Sequence, residues 1–572
     1  MTIGSLNIAG ASTANADTFL AVTTGQVGTA ANMTSGTTMQ IGTLTSGGNQ
    51  ILQAGGLLTL ADNGGLSSGN GSISVGAGGL QMGNQSGITA VGNISISVTA
   101  DAVLGDITST QTTGAAVAIT AGGAIVANGD GQVNVNTPIG TETVALQAGT
   151  GIGSSGTYLL VDIPEFMAST IAGDIYIHDL ESTNVPILSA PVGNIGLDVN
   201  GASAFGTITS GAAANVQATG NITGDNITSG GVLTLTSTGG YIHTTGTLKS
   251  TGNMLVNGAT GITANNLDSG GILQLASQGN ITLTGLLSVV GNLTLDSTGS
   301  LRLNDVTTPG NVRLISTDGA VMVNALQADS GYIAAGAGAA PTNAAFPNRP
   351  GDVDLVNATI DNSLTVYANR LQGHITQPPS ASPLLLDIRG SGGGAALASQ
   401  VILTVDPQVV DFINLQAVFS QINTSAEMVN VESGDISGAL SLLTPSTNLY
   451  MNNQSVVLQP VDIQLYQPGD VFNFSLIGNS LATNTYVERF ATGFSPYVPN
   501  YVGNHSNTGY NYGGTSALVD AQRQADLAAA LQDTVRKYRV IPANLEIASL
   551  SIGPRGGVNI TRSMYGKSRK VR

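Results

Sequence analysis

The sequence predicts an all-β chain: a right-handed parallel β-helix, or β-solenoid, whose coils are about 20 residues long. Three observations predict it. Phrases recur at that interval between positions 231 and 326, apolar residues alternate with polar ones inside each phrase, and many of the 77 glycines fall between those runs. A repeat this short buries no core alone, so each must stack on the next.

Aligning Gly-Val-Leu-Thr-Leu-Thr-Ser-Thr-Gly from Gly231, Asn-Leu-Thr-Leu-Asp-Ser-Thr-Gly from Asn292 and Asn-Val-Arg-Leu-Ile-Ser-Thr-Asp-Gly from Asn311 stacks Leu233, Met254, Leu273, Leu293 and Val312. Two positions further on stand Leu235, Val256, Leu275, Leu295 and Leu314. That spacing sends both side chains of a strand to one face. Ile242, Ile262, Ile281, Leu301 and Val321 form a third ladder, and Leu248, Leu267, Leu287, Val306 and Leu326 a fourth, closed by Gly252, Gly270, Gly291 and Gly310. Each coil therefore reads as about three short strands with Gly-containing corners. Leucine-rich repeats need a helical segment in every unit, and helical repeats are opposed by glycine, which costs about 1 kcal/mol against alanine within a helix. Calcium-binding nonapeptide arrays need Gly-Gly-x-Gly-x-Asp in tandem, which the chain lacks.

The same grammar runs from 1 to about 198 with uneven gaps, through strand cores such as Leu58-Thr-Leu60, Ile73-Ser-Val75, Ile94-Ser-Ile96, Val117-Ala-Ile119, Val144-Ala-Leu146 and Ile195-Gly-Leu197. Residues 159–187 gather Asp162, Glu165, Asp174, Asp179 and Glu181 and read as an insertion or irregular coil. The helix proper is expected over 1–333. Residues 334–352, with Pro341, Pro347 and Pro350, read as a linker or crossing loop. Longer strands over 353–492 read as continued solenoid or a separate β domain. The segment 493–572 holds a Tyr/Gly loop, a helix over 515–538 with apolar residues three and four apart, and the basic tail Lys567-Ser-Arg-Lys-Val-Arg572. Thr515 or Ser516 would cap that helix, and Arg536 and Lys537 suit its C-terminal dipole.

Of 572 residues, 41% are apolar and only 9% charged, with no Trp or Cys and a net charge of −17. This is not the low-hydrophobicity, high-charge composition of disorder. The first 248 residues hold 13 acidic residues and no Lys or Arg, whereas 10 of the 17 basic residues follow Asp520. Nothing in the long N-terminal part neutralises phosphates, so a nucleic-acid partner is not expected. No apolar run reaches the length of a membrane-spanning helix. The start Met-Thr-Ile-Gly-Ser lacks the basic and apolar segments of an export leader. The sequence is thus read as a mature or internal piece, or as a chain exported without such a leader.

Candidate chemistry is sparse. His178, His243, His374 and His505 show no metal-ligand spacing, and Asp296, Asp305, Asp318, Lys249, Arg302 and Arg313 do not recur at one coil position. No cofactor, metal or catalytic set is expected, and the acidic cluster 162–181 reads mainly as a solvated loop. Tyrosine favours interfaces. The expected contact residues are Tyr497, Tyr501, His505, Tyr510 and Tyr512, with Arg536, Lys537 and Arg539 from the helix.

The phrases Gly-Asn-Ile-Thr, Gly-Asn-Leu-Thr-Leu-Asp-Ser-Thr-Gly and Gly-Gly-Ile-Leu-Gln-Leu-Ala-Ser resemble the repeats of filamentous haemagglutinin-like exoproteins of Gram-negative bacteria over roughly 41–326. The Asn-Pro-Asn secretion motifs of that family have no counterpart here. The resemblance implies a secreted or bacterial surface solenoid, an adhesin stalk or the subunit of a surface filament. The low-charge Thr/Ser/Asn surface, the tyrosine loop and the segregated charge lead to the expectation of self-association, and a host or surface glycan is the other expected partner. The alternative expectation is a carbohydrate-active β-helix enzyme, a polysaccharide lyase or hydrolase.

Overall fold

The computed structural model describes residues 1–137, 141–336, 351–378, 383–391, 397–406, 409–424 and 426, and after these the short strands named below. All regular structure among these residues is β. The strands make about 18 turns of a parallel solenoid spaced about 20 residues apart. The chain divides into two compact units: 1–279 with 283–290, and 280–282 with 291–572.

In the first unit the coil is set by register. Thr2 pairs with Ala21, Ala21 with Gln40 and Gln40 with Thr59, a constant step from one coil to the next. Further along, Ala214 pairs with Leu233, Leu233 with Met254 and Met254 with Leu273. The residues between these columns explain the shape of a turn. Leu233–Ser237 is a flat strand with a buried–intermediate alternation, and Tyr241–Ser250 is a longer strand whose register shifts between Thr244 and Thr247. That shift divides the longer strand into two paired runs, so the three expected strand cores occupy two strands. Between Leu57 and Asp162 the same three cores are separate strands in most coils, as in Ile94–Val98, Ala102–Leu104 and Asp106–Ser109.

All twenty residues of the four predicted ladders are at most 3% exposed. Each fully buried aliphatic side chain contributes about 1.5–3 kcal/mol. The third inward position of a strand is often Ser. Ser210, Ser229 and Ser237 are buried, and their hydroxyls donate to the carbonyls of Gly193, Ala212 and Gly220 at 2.8, 2.8 and 2.6 Å. At the corners an Asn oxygen reaches the following coil: Asn221 accepts from the Tyr241 N–H at 3.1 Å and Asn253 from the Ile272 N–H at 2.9 Å. Backbone groups freed by the turns are thereby satisfied.

Residues 159–187 are not an insertion. Leu159–Asp162, Phe166–Thr170, Ile175–Asp179 and Thr183–Ala190 all lie in the parallel ladder, and Phe166, Ile175 and Ile177 are fully buried. The acidic and aromatic residues there mostly fill outward positions, which leaves the inward alternation intact. The irregular pieces lie just before: 128–134 and 153–158 are loops, and the coil from Val117 to its partner Val144 is longer than the one from Val144 to its partner Phe166.

In the second unit Leu293 pairs with Val312 and Leu295 with Leu314. The strand Val321–Ala335 pairs in parallel with Asp352–Tyr367, from Val321 opposite Val353 to Ala334 opposite Tyr367. Positions 334, 335 and 352 therefore belong to strands rather than to the predicted linker. Parallel pairing carries on through Leu384–Arg389, Gln400–Val405, Val409–Leu415, Ala417–Thr424, Met428–Val431 and Ile436–Leu442. Asn448–Met451 with Gln454–Val456, Val471–Leu476 with Thr485–Phe490, and Leu550–Ser551 with Gly557–Val558 are antiparallel pairs. The predicted helix 515–538 lies outside the described residues.

A candidate binding groove on the outer face of the first unit

The outer face of Ile175–Asp179 carries Tyr176 and His178, because its inward positions are taken by Ile175, Ile177 and Asp179. Register sets what lies beside them. Leu160 pairs with His178 and His178 with Asp198, while Tyr176 pairs with Gly196. His178 Nδ1 stands 2.9 Å from Asp198 Oδ2, the histidine side chain 26% and the aspartate 35% exposed, so a bound molecule can reach both.

Tyr158, at the end of the 153–158 loop, meets Tyr176 edge to face with ring centroids 5.4 Å apart. Gly196 makes room for this pair. A Cβ there would sit 2.5 Å from Tyr176 Cδ1 and 3.0 Å from the Tyr158 hydroxyl oxygen, so any side chain would lift the rings off the sheet. Burial raises the pKa of both phenols, with Asp198 adding to the effect at Tyr158 and Asp174 at Tyr176. Both stay neutral hydrogen-bonding groups near pH 7.

The 128–134 loop forms the opposite wall. Gly129 and Gly131 have φ of 84° and 75°, a region that other residues enter at a cost. Asp130 braces the loop: its carboxylate accepts from the backbone N–H groups of Gln85 and Gln132 at 2.8 and 2.9 Å and from the Asn128 amide at 2.9 Å. Burial works against the charge, but these bonds outweigh it and lower the Asp130 pKa. Asn134 is buried beneath, donating to the Leu104 carbonyl at 3.1 Å and accepting from the Leu160 N–H at 3.0 Å. The walls enclose an open groove of about 320 Å³ lined by Ala127, Gly129, Gly131, Gln132, Asn134, Thr157, Tyr158, Leu160, His178 and Asp198.

The acidic cluster is dispersed into separate structural roles. Glu165 accepts from the Asn184 amide at 2.7 Å, and Asp174 accepts from the Asn194 backbone at 2.7 Å. Asp179 is fully buried in an inward position, its pKa raised to about 7 by burial, with Asp162 adding to the rise and the N–H groups of Glu181 and Ile163 opposing it. No group of three or more His, Cys, Asp or Glu suited to a metal occurs among the described residues. His374 Nε2 pairs with Asp406 at 2.6 Å, and Lys249 with Asp268 at 2.6 Å, both on exposed faces. The expected contact residues Tyr497, Tyr501, His505, Tyr510, Tyr512, Arg536, Lys537 and Arg539 lie outside the described residues.

The groove does not show as a motif because its members are distant in sequence. Tyr158 and Tyr176 stand one coil apart, as do His178 and Asp198. The coil length is the signal that joins them. Comparison with known proteins finds no matching family model, no similar curated protein and no similar solved structure. What the geometry establishes is a β-helix repeat protein whose outer face carries an aromatic and polar groove.

Proposed function

We propose that this chain is a structural and adhesive solenoid of a bacterial surface, of the filamentous haemagglutinin-like kind that its repeat phrases resemble. The observation that supports it is where the polar side chains are used. Serines inside the coil and asparagines at its corners bond one coil to the next, as Ser229 does to Ala212 and Asn253 to Ile272. A chain built this way resists deformation along its ladders and offers regular, weakly charged outer faces.

Self-association belongs to the same reading. An acidic N-terminal part without cations and a basic C-terminal tail favour head-to-tail contacts, and such contacts build filaments when they do not close. Tyr497, Tyr501, His505, Tyr510 and Tyr512, with Arg536, Lys537 and Arg539, are the proposed contact residues.

Two measurements test the reading together. Immunogold labelling of producing cells should place the protein on the outer surface, and beads coated with it should adhere to glycan-bearing surfaces without releasing reducing sugar from neutral or acidic polysaccharides. Label confined to the cell interior, or catalytic release of reducing sugar, would favour the enzyme alternative.

A further inference from the structure

We propose that the groove lined by Tyr158, His178 and Asp198 is a saccharide-binding site selective for neutral sugars over uronic acids. The inference rests on the adhesive reading above and names the ligand class of one site on it.

The floor suits a pyranose ring. Tyr158 lines the groove and rests edge to face on Tyr176 behind it, ring centroids 5.4 Å apart, both rings partly buried and seated by the absence of a side chain at Gly196. The C–H face of a sugar packs on such rings while its hydroxyls remain free for polar partners. Those partners converge from the other walls. The exposed Gln132 amide and Thr157 hydroxyl offer donors and acceptors, and His178 with Asp198 adds an acceptor oxygen and a ring nitrogen oriented by their 2.9 Å contact. A few placed polar groups around an apolar floor is the usual composition of a small-molecule site, and 320 Å³ lies at the small end of the range of about 300–1,000 Å³ for such sites. One or two sugar units fill it.

Charge sets the selectivity. Asp198 lines the groove, Asp174 acts on the neighbouring Tyr176, and no Lys or Arg occurs before Lys249. A uronate would meet the Asp198 carboxylate with no Lys or Arg in the groove lining to balance it, whereas a neutral sugar presents hydroxyl donors to Asp198. The braced loop adds preorganisation, since Asp130 ties 128–132 to Gln85 without help from a ligand.

The test uses the full chain and saturation-transfer NMR with cellopentaose, maltopentaose and mannopentaose, with pentagalacturonate as the anionic probe. At least one neutral oligosaccharide should bind saturably, and pentagalacturonate at least tenfold more weakly. Tyr158→Ala and His178→Ala should each weaken that binding tenfold or more. Gly196→Val, which displaces both rings while leaving them in the chain, should do the same. Tyr332→Ala, an exposed tyrosine in the second unit, should leave it unchanged, and circular dichroism should show all four variants folded. Absence of binding to every neutral probe at 10 mM, binding unaffected by Tyr158→Ala and His178→Ala, or preference for pentagalacturonate would each overturn the proposal. Adhesion of beads that persists in Tyr158→Ala overturns this site and leaves the adhesive reading standing. Cleavage of a bound neutral oligosaccharide overturns the adhesive reading and leaves the site.

Discussion

Serine and asparagine are the residues whose roles composition hides. A Thr/Ser/Asn-rich chain reads as polar on the outside, yet Ser210, Ser229 and Ser269 point inward and are at most 2% exposed. Alternation alone places them there, two positions beyond an inward Leu or Ile, and their bonds to carbonyls of the preceding coil make them compatible with a dry interior. Ser229→Ala should therefore destabilise the chain by about 1 kcal/mol, the net worth of a buried hydrogen bond, measured by denaturant unfolding. Asp179 takes a similar inward position in its strand with a less benign result. Its folded pKa of about 7 lies above that of an exposed aspartate, so the folded state holds the proton more tightly. Its contribution to stability is complete below about pH 4 and is lost as pH rises through about 7. Asp179→Asn keeps the Oδ1 acceptor for the Ile163 and Glu181 N–H groups and removes the charge. The variant should melt higher than the parent at pH 8 and much the same at pH 4.5; an equal difference at both values would contradict the assignment.

At the scale of the element, the strands between 231 and 326 were legible because apolar period and glycine corners agree at every coil. Residues 159–187 were not, because Pro164, Glu165, Tyr176, His178 and Glu181 interrupt the surface grammar while Phe166, Ile175 and Ile177 keep the core grammar. Surface residues are free to vary where inward ones are not, so reading inward positions alone recovers the coil. The groove needed both: the coil length to bring Tyr158 to Tyr176, and the outer-face variation to notice them. The ladders supply a direct test. Leu293 is fully buried and paired with Val312, so Leu293→Asp places an unpaired carboxylate in the core and should destabilise the second unit by several kcal/mol. Asp296→Asn, on the outer face with its oxygen 3.8 Å from Arg313, should shift the melting temperature little, since such exposed pairs contribute at most about 1 kcal/mol. Similar melting of the two variants would contradict the register.

For the whole molecule, the segregated charge predicts association that weakens with salt. Exposed charges are screened beyond roughly 8–10 Å at moderate ionic strength. Sedimentation velocity should show oligomers at low salt that diminish at higher salt and after deletion of residues 567–572; a monomer under all these conditions would leave a lone stalk. Beneath function lies the stacking of coils, and the cysteine-free sequence makes it directly measurable. Outward residues paired in register are Thr13 with Asn32, Asn215 with Thr234, Thr294 with Arg313 and Thr365 with Asp387. Neighbouring parallel strands lie about 4.8 Å apart, within the span of a disulfide, whereas a partner two residues out of register is about 8 Å away and beyond it. Cysteines placed at each of these four pairs should oxidise readily to an intramolecular disulfide, and the offset pairs Thr13 with Thr34, Asn215 with Thr236, Thr294 with Ile315 and Thr365 with Arg389 should not; preferential crosslinking of the offset pairs would contradict the parallel solenoid.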